Sequence, residues 1–131
     1  MYLRFITSYT NEWDEPSTGV FQALGHLIRD EDVFEYDRVR LKEIRTWFNV
    51  HLERPTKFNK TSNKNKSYVA ISWFKDTAIE HLERMYDLIP IYENYDLRIE
   101  TIKRGNPGYV VFEDEFQIST IPFGKEKSEV L

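Results

Sequence analysis

The distribution of apolar residues at the two ends of the chain constrains the fold most strongly. In residues 2–7 polar and apolar side chains alternate, so that Leu3 and Phe5 share one face of a predicted strand. Further strands are predicted at 97–102, 109–112 and 116–121, with turn-forming residues between them. Because the connections are short, these patterns indicate an antiparallel sheet made from the N-terminal strand and a C-terminal meander.

The middle of the chain has helical periodicity. Apolar residues recur every three or four positions, and Ser17 or Thr18 is expected to cap the first helix. The predicted helices cover 19–29, 35–52 and about 76–92, and Pro90 is expected to bend or shorten the last turn of the third. Their apolar stripes include Leu41, Ile44 and Phe48 in the second helix, and Ala78, Leu82, Met85 and Ile89 in the third. Residues 68–74 form a short apolar run that fits either a strand or a turn of helix.

These elements predict an α+β fold with an antiparallel sheet of about four strands and three helices. The chain has 131 residues, of which 40% are hydrophobic and 15% aromatic, which is enough for one core and too little for two. Residues 1–123 are therefore predicted to form a single domain, and 124–131 a flexible tail. Residues 56–67 contain Phe58 as their only apolar side chain and are predicted to form a mobile loop.

The absence of cysteine excludes several kinds of chemistry. Without thiols the chain has neither a disulfide framework nor a thiolate metal site, and a cysteine nucleophile is excluded as well. The first residues lack the basic-then-apolar order of a signal peptide, and no apolar run approaches the roughly 20 residues needed to span a bilayer. The sequence therefore predicts a cytoplasmic protein that does not associate with membranes.

Charge is distributed unevenly along the chain. The formal net charge is −4, but the segment from Arg54 to Lys66 contains five cations and no acid, so the other residues carry −9. A body of this charge repels nucleic acid over most of its surface and attracts a basic protein. Nucleic acid is therefore not expected as a partner, except through the Arg54–Lys66 loop, where Phe58 could stack on one base.

Catalytic and cofactor motifs are absent from the sequence. The three histidines, His26, His51 and His81, lack the HxH or HExxH spacing of metal sites. No glycine-rich phosphate loop and no G-x-S-x-G nucleophile elbow occur. The sequence predicts no catalytic residue, no metal site and no cofactor, although Glu113 or Glu115 acting as a general base is a third, weaker hypothesis.

Two local clusters are candidates for binding sites. In the first, the large rings of Trp73 and Phe74 end an apolar run just before a predicted helix, which favours an ordinary core. The alternative is a ligand pocket lined by Arg4, Trp73, Lys75 and Tyr109. In the second, three adjacent carboxylates occupy a predicted hairpin tip. The predicted partner-binding residues there are Glu113, Asp114, Glu115 and Gln117. Such carboxylates repel one another, and the cluster fits first a solvated turn that protects a sheet edge and, as the alternative, an acidic hook for a basic partner.

The same clusters carry a family resemblance. The chain resembles a group of small bacterial hypothetical proteins through the strand YLRF at 2–5, the element WFN at 47–49 with Pro55, and ISWFK at 71–75 followed by Glu80 and His81. A further shared element is PGYVVFEDEFQ at 107–117, of the form PGxVx[YF]EDE[FY]Q. The resemblance covers nearly the whole chain, except for the Lys- and Asn-rich loop. It implies no activity, but it implies that both clusters belong to one recurring design.

The charge balance and the missing catalytic apparatus favour a binding function. The leading hypothesis is a non-enzymatic acidic binding protein that occupies a basic partner surface, such as an immunity protein or an inhibitor of a nucleic-acid-handling enzyme. The alternative is a small-ligand or nucleotide-binding protein with its pocket around Trp73 and Lys75.

Overall fold

The part of the chain that the structure describes has an α+β fold with three helices and an antiparallel sheet of six strands. The computed structural model describes residues 1–11, 13–55 and 70–124. Along the chain the elements are β1 (Tyr2–Thr10), β2 (Pro16–Gly19), α1 (Val20–Arg29), α2 (Glu35–His51), β3 (Ile71–Lys75), α3 (Ile79–Glu93), β4 (Ile99–Arg104), β5 (Tyr109–Glu113) and β6 (Gln117–Ile121). The predicted loop at 56–67 and the predicted tail after Gly124 lie outside the described residues.

The sheet differs from the prediction in strand number and in pairing. Its order is β2-β1-β3-β6-β5, and β4 pairs with β1, so the three C-terminal strands do not form a meander. Among the described residues the sheet has six strands rather than about four, because β2 and β3 also belong to it. The sequence Pro-Ser-Thr-Gly of β2 has no apolar alternation, and it becomes a strand by pairing with β1. Ser17 and Thr18 therefore lie in a strand, and Gly19 precedes α1 without a side-chain cap.

The described contacts group into two compact units that are interleaved along the sequence. We call 5–53 with 80–102 the helical unit, and 1–4, 54–79 and 103–131 the sheet unit. The prediction of a single domain over 1–123 stays a prediction.

The helical unit has a core formed by one face of each helix. The predicted stripe of α2 is confirmed, since Leu41, Ile44 and Phe48 are all buried. In α3 the stripe is rotated relative to the prediction, because Leu82 and Ile89 are only half-buried. The buried residues of α3 are His81, Met85, Leu88 and Tyr92. Pro90 lies within α3, which continues to Glu93.

Polar contacts explain why two ring side chains of α3 are buried. The Tyr92 hydroxyl donates a hydrogen bond of 2.7 Å to the carbonyl oxygen of Val20, and His81 Nε2 lies 2.8 Å from the carbonyl oxygen of His51. A buried polar group is tolerated when it has a partner. A prediction from hydropathy assigns only apolar residues to the core. The fold also buries the polar rings of His81 and Tyr92, whose hydrogen-bond partners are distant in sequence.

The sheet unit contains a strand where the sequence left two alternatives. Residues 71–75 form β3, which pairs with β6 and brings the hydroxyl oxygens of Ser72 and Ser119 to 2.9 Å. The turn before β5 depends on Gly108, whose φ is +151°. A Cβ at this position would lie 2.3 Å from the carbonyl oxygen of Ile121, so glycine is required for the close approach of the two backbones.

Replacing Tyr92 by Phe tests the buried hydrogen bond. Removal of the hydroxyl leaves the Val20 carbonyl oxygen without this partner, and we expect the free energy of unfolding at neutral pH to fall by about 1–3 kcal/mol. The matched change Tyr36→Phe, at a highly exposed ring, should change it little. Equal denaturant melts for the two variants would contradict this role.

The same variant has an expected pH signature. Burial, followed by the proximity of Tyr9, raises the pKa of Tyr92 above its ordinary value of 10.0. A raised pKa in the folded state means that this stabilisation is complete below about pH 10 and is lost as the pH rises further. Stability measured above pH 10 should therefore decline less steeply in Tyr92→Phe than in the wild type.

Candidate functional site

The acidic tip between β5 and β6 is a hydrogen-bonded turn. Asp114 Oδ1 accepts hydrogen bonds from the backbone N–H groups of Phe116 (2.8 Å) and Gln117 (3.0 Å). Asp114 Oδ2 accepts one from the Gln117 side-chain amide at 3.1 Å, and the Asp114 N–H donates to the Gln117 carbonyl oxygen. Gln117 is buried and Asp114 is half-buried. Asp114 therefore stabilises the turn through its carboxylate.

The other two carboxylates of the tip differ from each other. Glu113 Oε2 lies 2.6 Å from Lys75 Nζ, in an ion pair that joins β5 to the end of β3. Glu115 is exposed to solvent. The repulsion expected from three crowded carboxylates is therefore reduced by a cation on one side and by amide donors on the other. The partner-binding role of the tip stays a prediction, and both Glu113 and Glu115 are exposed there.

The predicted ligand pocket is divided by the sheet. Strand register places Arg4, Trp73 and Lys75 on one face, because Tyr2 pairs with Lys75 and side chains alternate along each strand. Trp73 pairs with Ile118 of β6, whereas Tyr109 pairs with Ile121 of the same strand. Because Ile118 and Ile121 are an odd number of residues apart, Tyr109 is on the opposite face, where its exposed ring packs on Phe123 at a centroid distance of 4.7 Å.

Trp73 and Arg4 are constrained by burial. Trp73 is 7% exposed, and its indole Nε1 has no hydrogen-bond acceptor among the described residues. Partial burial lowers the pKa of the Arg4 guanidinium from its ordinary value. The prediction that Trp73 belongs to the core is therefore supported, and the role of these residues in ligand binding stays a prediction.

The excess of acidic residues is concentrated in one of the two units. The sequence assigned to the helical unit contains sixteen acidic and seven basic residues, a net charge of −9. The sheet unit contains six acidic and eleven basic residues, a net charge of +5. Electrostatic attraction for cationic groups is therefore stronger at the helical unit than at the sheet unit.

A second apolar stripe runs along α2, on the side opposite the buried one. Tyr36 is 85% exposed, Val50 is 73% exposed, and Val39 between them is also exposed. An open groove of about 560 Å³ lies along this stripe and is lined by Val39, Lys42, Glu43, Thr46, Trp47, Val50 and His51. Sequence reasoning missed this surface, although the signal was present in the valines opposite Leu41, Ile44 and Phe48.

The Trp47 indole, which lines this groove, is contacted by three side chains. Trp47 stacks on His51 at a centroid distance of 4.4 Å, and the guanidinium of Arg84 lies 3.7 Å from the centre of the indole ring. The His81 ring forms a T-shaped pair with the same indole, at a centroid distance of 4.7 Å. The indole is thus fixed by stacking and cation–π contacts on its surfaces.

The acidic segment before α2 carries exposed aromatic side chains. Phe34 is 74% exposed and lies close in sequence to Tyr36. Three exposed carboxylates are close to this pair in the sequence, belonging to Glu31, Asp32 and Glu35. We call Glu31–Tyr36 together with the outward stripe of α2 the α2 surface.

Tyr95 and Arg38 fix the backbone of this segment. The Tyr95 hydroxyl donates to Asp37 Oδ2 at 2.5 Å and accepts from the Phe34 N–H at 3.0 Å. Burial, and then the hydrogen bond to Asp37, raise the pKa of Tyr95. Arg38 donates to the carbonyl oxygens of Ile28 and Asp30 and pairs with Glu35 at 2.8 Å. The exposed rings therefore project from a fixed backbone.

Comparisons with family models, with curated proteins and with solved structures found no match. In the described part of the chain no helix is long and apolar enough to cross a bilayer. The same residues contain no group of three or more metal-binding side chains.

Two alanine variants of the tip separate its structural and exposed carboxylates. Asp114→Ala removes the acceptor for three N–H groups, and we expect a loss of about 1–3 kcal/mol in the free energy of unfolding. Glu115→Ala is the matched control and should change stability by less than about 0.5 kcal/mol. If both variants unfold at the same denaturant concentration as the wild type, the carboxylate of Asp114 does not stabilise the turn.

Proposed function

We propose that this protein is a non-catalytic acidic binding protein that occupies a basic surface of another protein through its α2 surface. The observation that carries the proposal is the pair of exposed rings, Phe34 and Tyr36, set among exposed carboxylates on a fixed backbone. Large aromatic side chains bury much area in an interface at little cost in conformational entropy. Their exposure in the free protein favours a role in association over a role in folding.

The charge of the helical unit selects the partner. With a net charge of −9 and with Glu31, Asp32 and Glu35 close to the rings in the sequence, the α2 surface attracts cationic proteins and repels anionic ones. Enzymes that handle nucleic acid present such cationic surfaces to their substrates. An inhibitor or immunity protein that covers this kind of surface fits the proposal.

The apolar groove provides the second part of the interface. Val39 and Val50 flank an indole held by His51 and Arg84, so that an apolar side chain of the partner finds a preformed recess. Preformed recesses reduce the entropy lost on binding. The acidic tip enters the proposal as a secondary contact, through Glu115.

Affinity capture with four versions of the protein tests this proposal. The baits are the wild type, Phe34→Ala/Tyr36→Ala, Glu31→Gln/Asp32→Asn/Glu35→Gln, and the control Trp13→Ala, which removes an exposed ring elsewhere in the helical unit. We expect a basic protein to be retained by the wild type and the control and lost from the other two. All substitutions are at exposed side chains, so thermal melts should agree within a few degrees.

Binding kinetics with the captured protein give the magnitudes. The double aromatic variant should weaken binding by about thirtyfold or more, chiefly through faster dissociation. The charge variant should slow association by about tenfold at low salt and remove most of the salt dependence. Retention of the same partner by all four baits, or a captured partner that is acidic, would refute the proposal.

A further inference from the structure

A cleft in the helical unit, distinct from the α2 surface, is lined by aromatic and hydrogen-bonding side chains. Its volume is about 370 Å³, within the range of small-molecule sites. The residues that carry the argument are Tyr9, Asn11, Trp13, Phe21, Gln22 and Arg29. Three aromatic rings and a guanidinium are thus brought together on one concave surface.

The turn between β1 and β2 positions the first wall. Asn11 Oδ1 accepts hydrogen bonds from the backbone N–H groups of Trp13 (2.9 Å) and Glu15 (3.0 Å), and the Asn11 N–H donates to the Glu15 carbonyl oxygen. Asp14 has a positive φ of 57°, which closes the turn. Trp13 is nevertheless 72% exposed. The backbone of this indole is fixed while its ring is open to solvent, as expected of a stacking platform.

Helix α1 supplies the opposite wall and the floor. The Phe21 ring packs edge-on against Phe48 at 5.1 Å and remains partly exposed in the cleft. Gly25 lacks a side chain where the Arg29 guanidinium crosses the helix, since a Cβ there would lie 3.1 Å from Arg29 Nη1. Because Gly25 has no side chain, the Arg29 side chain can lie across the helix there, and the cleft stays open.

These groups define the chemistry of a ligand. Indole and phenyl rings favour a planar ring system, whereas the Asn11 and Gln22 amides and the Arg29 guanidinium favour hydrogen-bonding atoms at its edge. A guanidinium is suited to the adjacent O6 and N7 acceptors of guanine. The net charge of −9 on the helical unit disfavours a polyphosphate.

We propose that this cleft binds a neutral, planar heteroaromatic ring of the guanine type, stacked on Trp13 and Phe21 with its acceptor edge toward Arg29. The site goes beyond the docking function, because it uses none of the residues of the α2 surface.

Calorimetric titration with guanosine, adenosine, GMP and GTP tests the proposal on the full chain. Guanosine should bind saturably, about tenfold more tightly than adenosine, and at least as tightly as GMP or GTP. Trp13→Ala should weaken guanosine binding by about fivefold or more, because it removes one stacking surface. Phe34→Ala, at an exposed ring outside the cleft, is the matched control and should leave the affinity unchanged.

Two further variants test the geometry without relying on Trp13. Gly25→Leu puts a side chain into the floor of the cleft and should abolish guanosine binding, while thermal melting shows that α1 still folds. Arg29→Gln should remove the preference for guanosine over adenosine. Absence of saturable guanosine binding, tighter binding of GTP than of guanosine, or unchanged affinity in both Trp13→Ala and Gly25→Leu would overturn the proposal.

Discussion

The helical unit depends on a series of side-chain contacts that hold α2 against α3 and against Tyr95, which lies just beyond the end of α3. Tyr95 bonds to Phe34 and Asp37 at the start of α2, and Arg40 pairs with Asp87 at 2.8 Å further along. Arg84 covers Trp47, and His81 bonds to the carbonyl oxygen of His51 at the end of α2. Contacts in this order show that the two helices run antiparallel. α2 is held by these contacts and by its buried stripe. Its outward stripe is therefore exposed to solvent on a helix whose backbone is fixed.

This arrangement connects stability to the proposed function. A helix with apolar residues on two opposite faces can bury one of them within its own unit and still offer the other to a partner. The outward face of α2 carries Tyr36, Val39 and Val50, and the acidic segment before it supplies the charge. A rigid surface loses little entropy on association, which favours tight binding by a small protein. The acidic tip, by contrast, has two carboxylates engaged within the fold.

Local patterns in the sequence predicted the elements whose stability is local. The stripe of Leu41, Ile44 and Phe48 follows from spacing within one helix, and the alternation in β1 follows from the pleat of one strand. The predictions were wrong where an element depends on a partner that is distant in sequence. Tyr92 is buried because its hydroxyl bonds to Val20, 72 residues away, and β2 forms only through pairing with β1. The exposed rings of the α2 surface were not predicted, because hydropathy does not distinguish an outward apolar side chain from a buried one.

Amide hydrogen exchange at the start of α2 tests most directly whether the α2 surface is preformed. The Phe34 N–H bonds to the Tyr95 hydroxyl, and the Arg38 N–H bonds to the Phe34 carbonyl oxygen. We expect both amides to be protected in the free wild-type protein and to exchange about tenfold faster in Tyr95→Phe. The amide of Leu52, bonded to Phe48 at the other end of α2, should be unaffected. Unprotected Phe34 and Arg38 amides in the wild type, or equal exchange in both proteins, would contradict a preformed surface held by Tyr95.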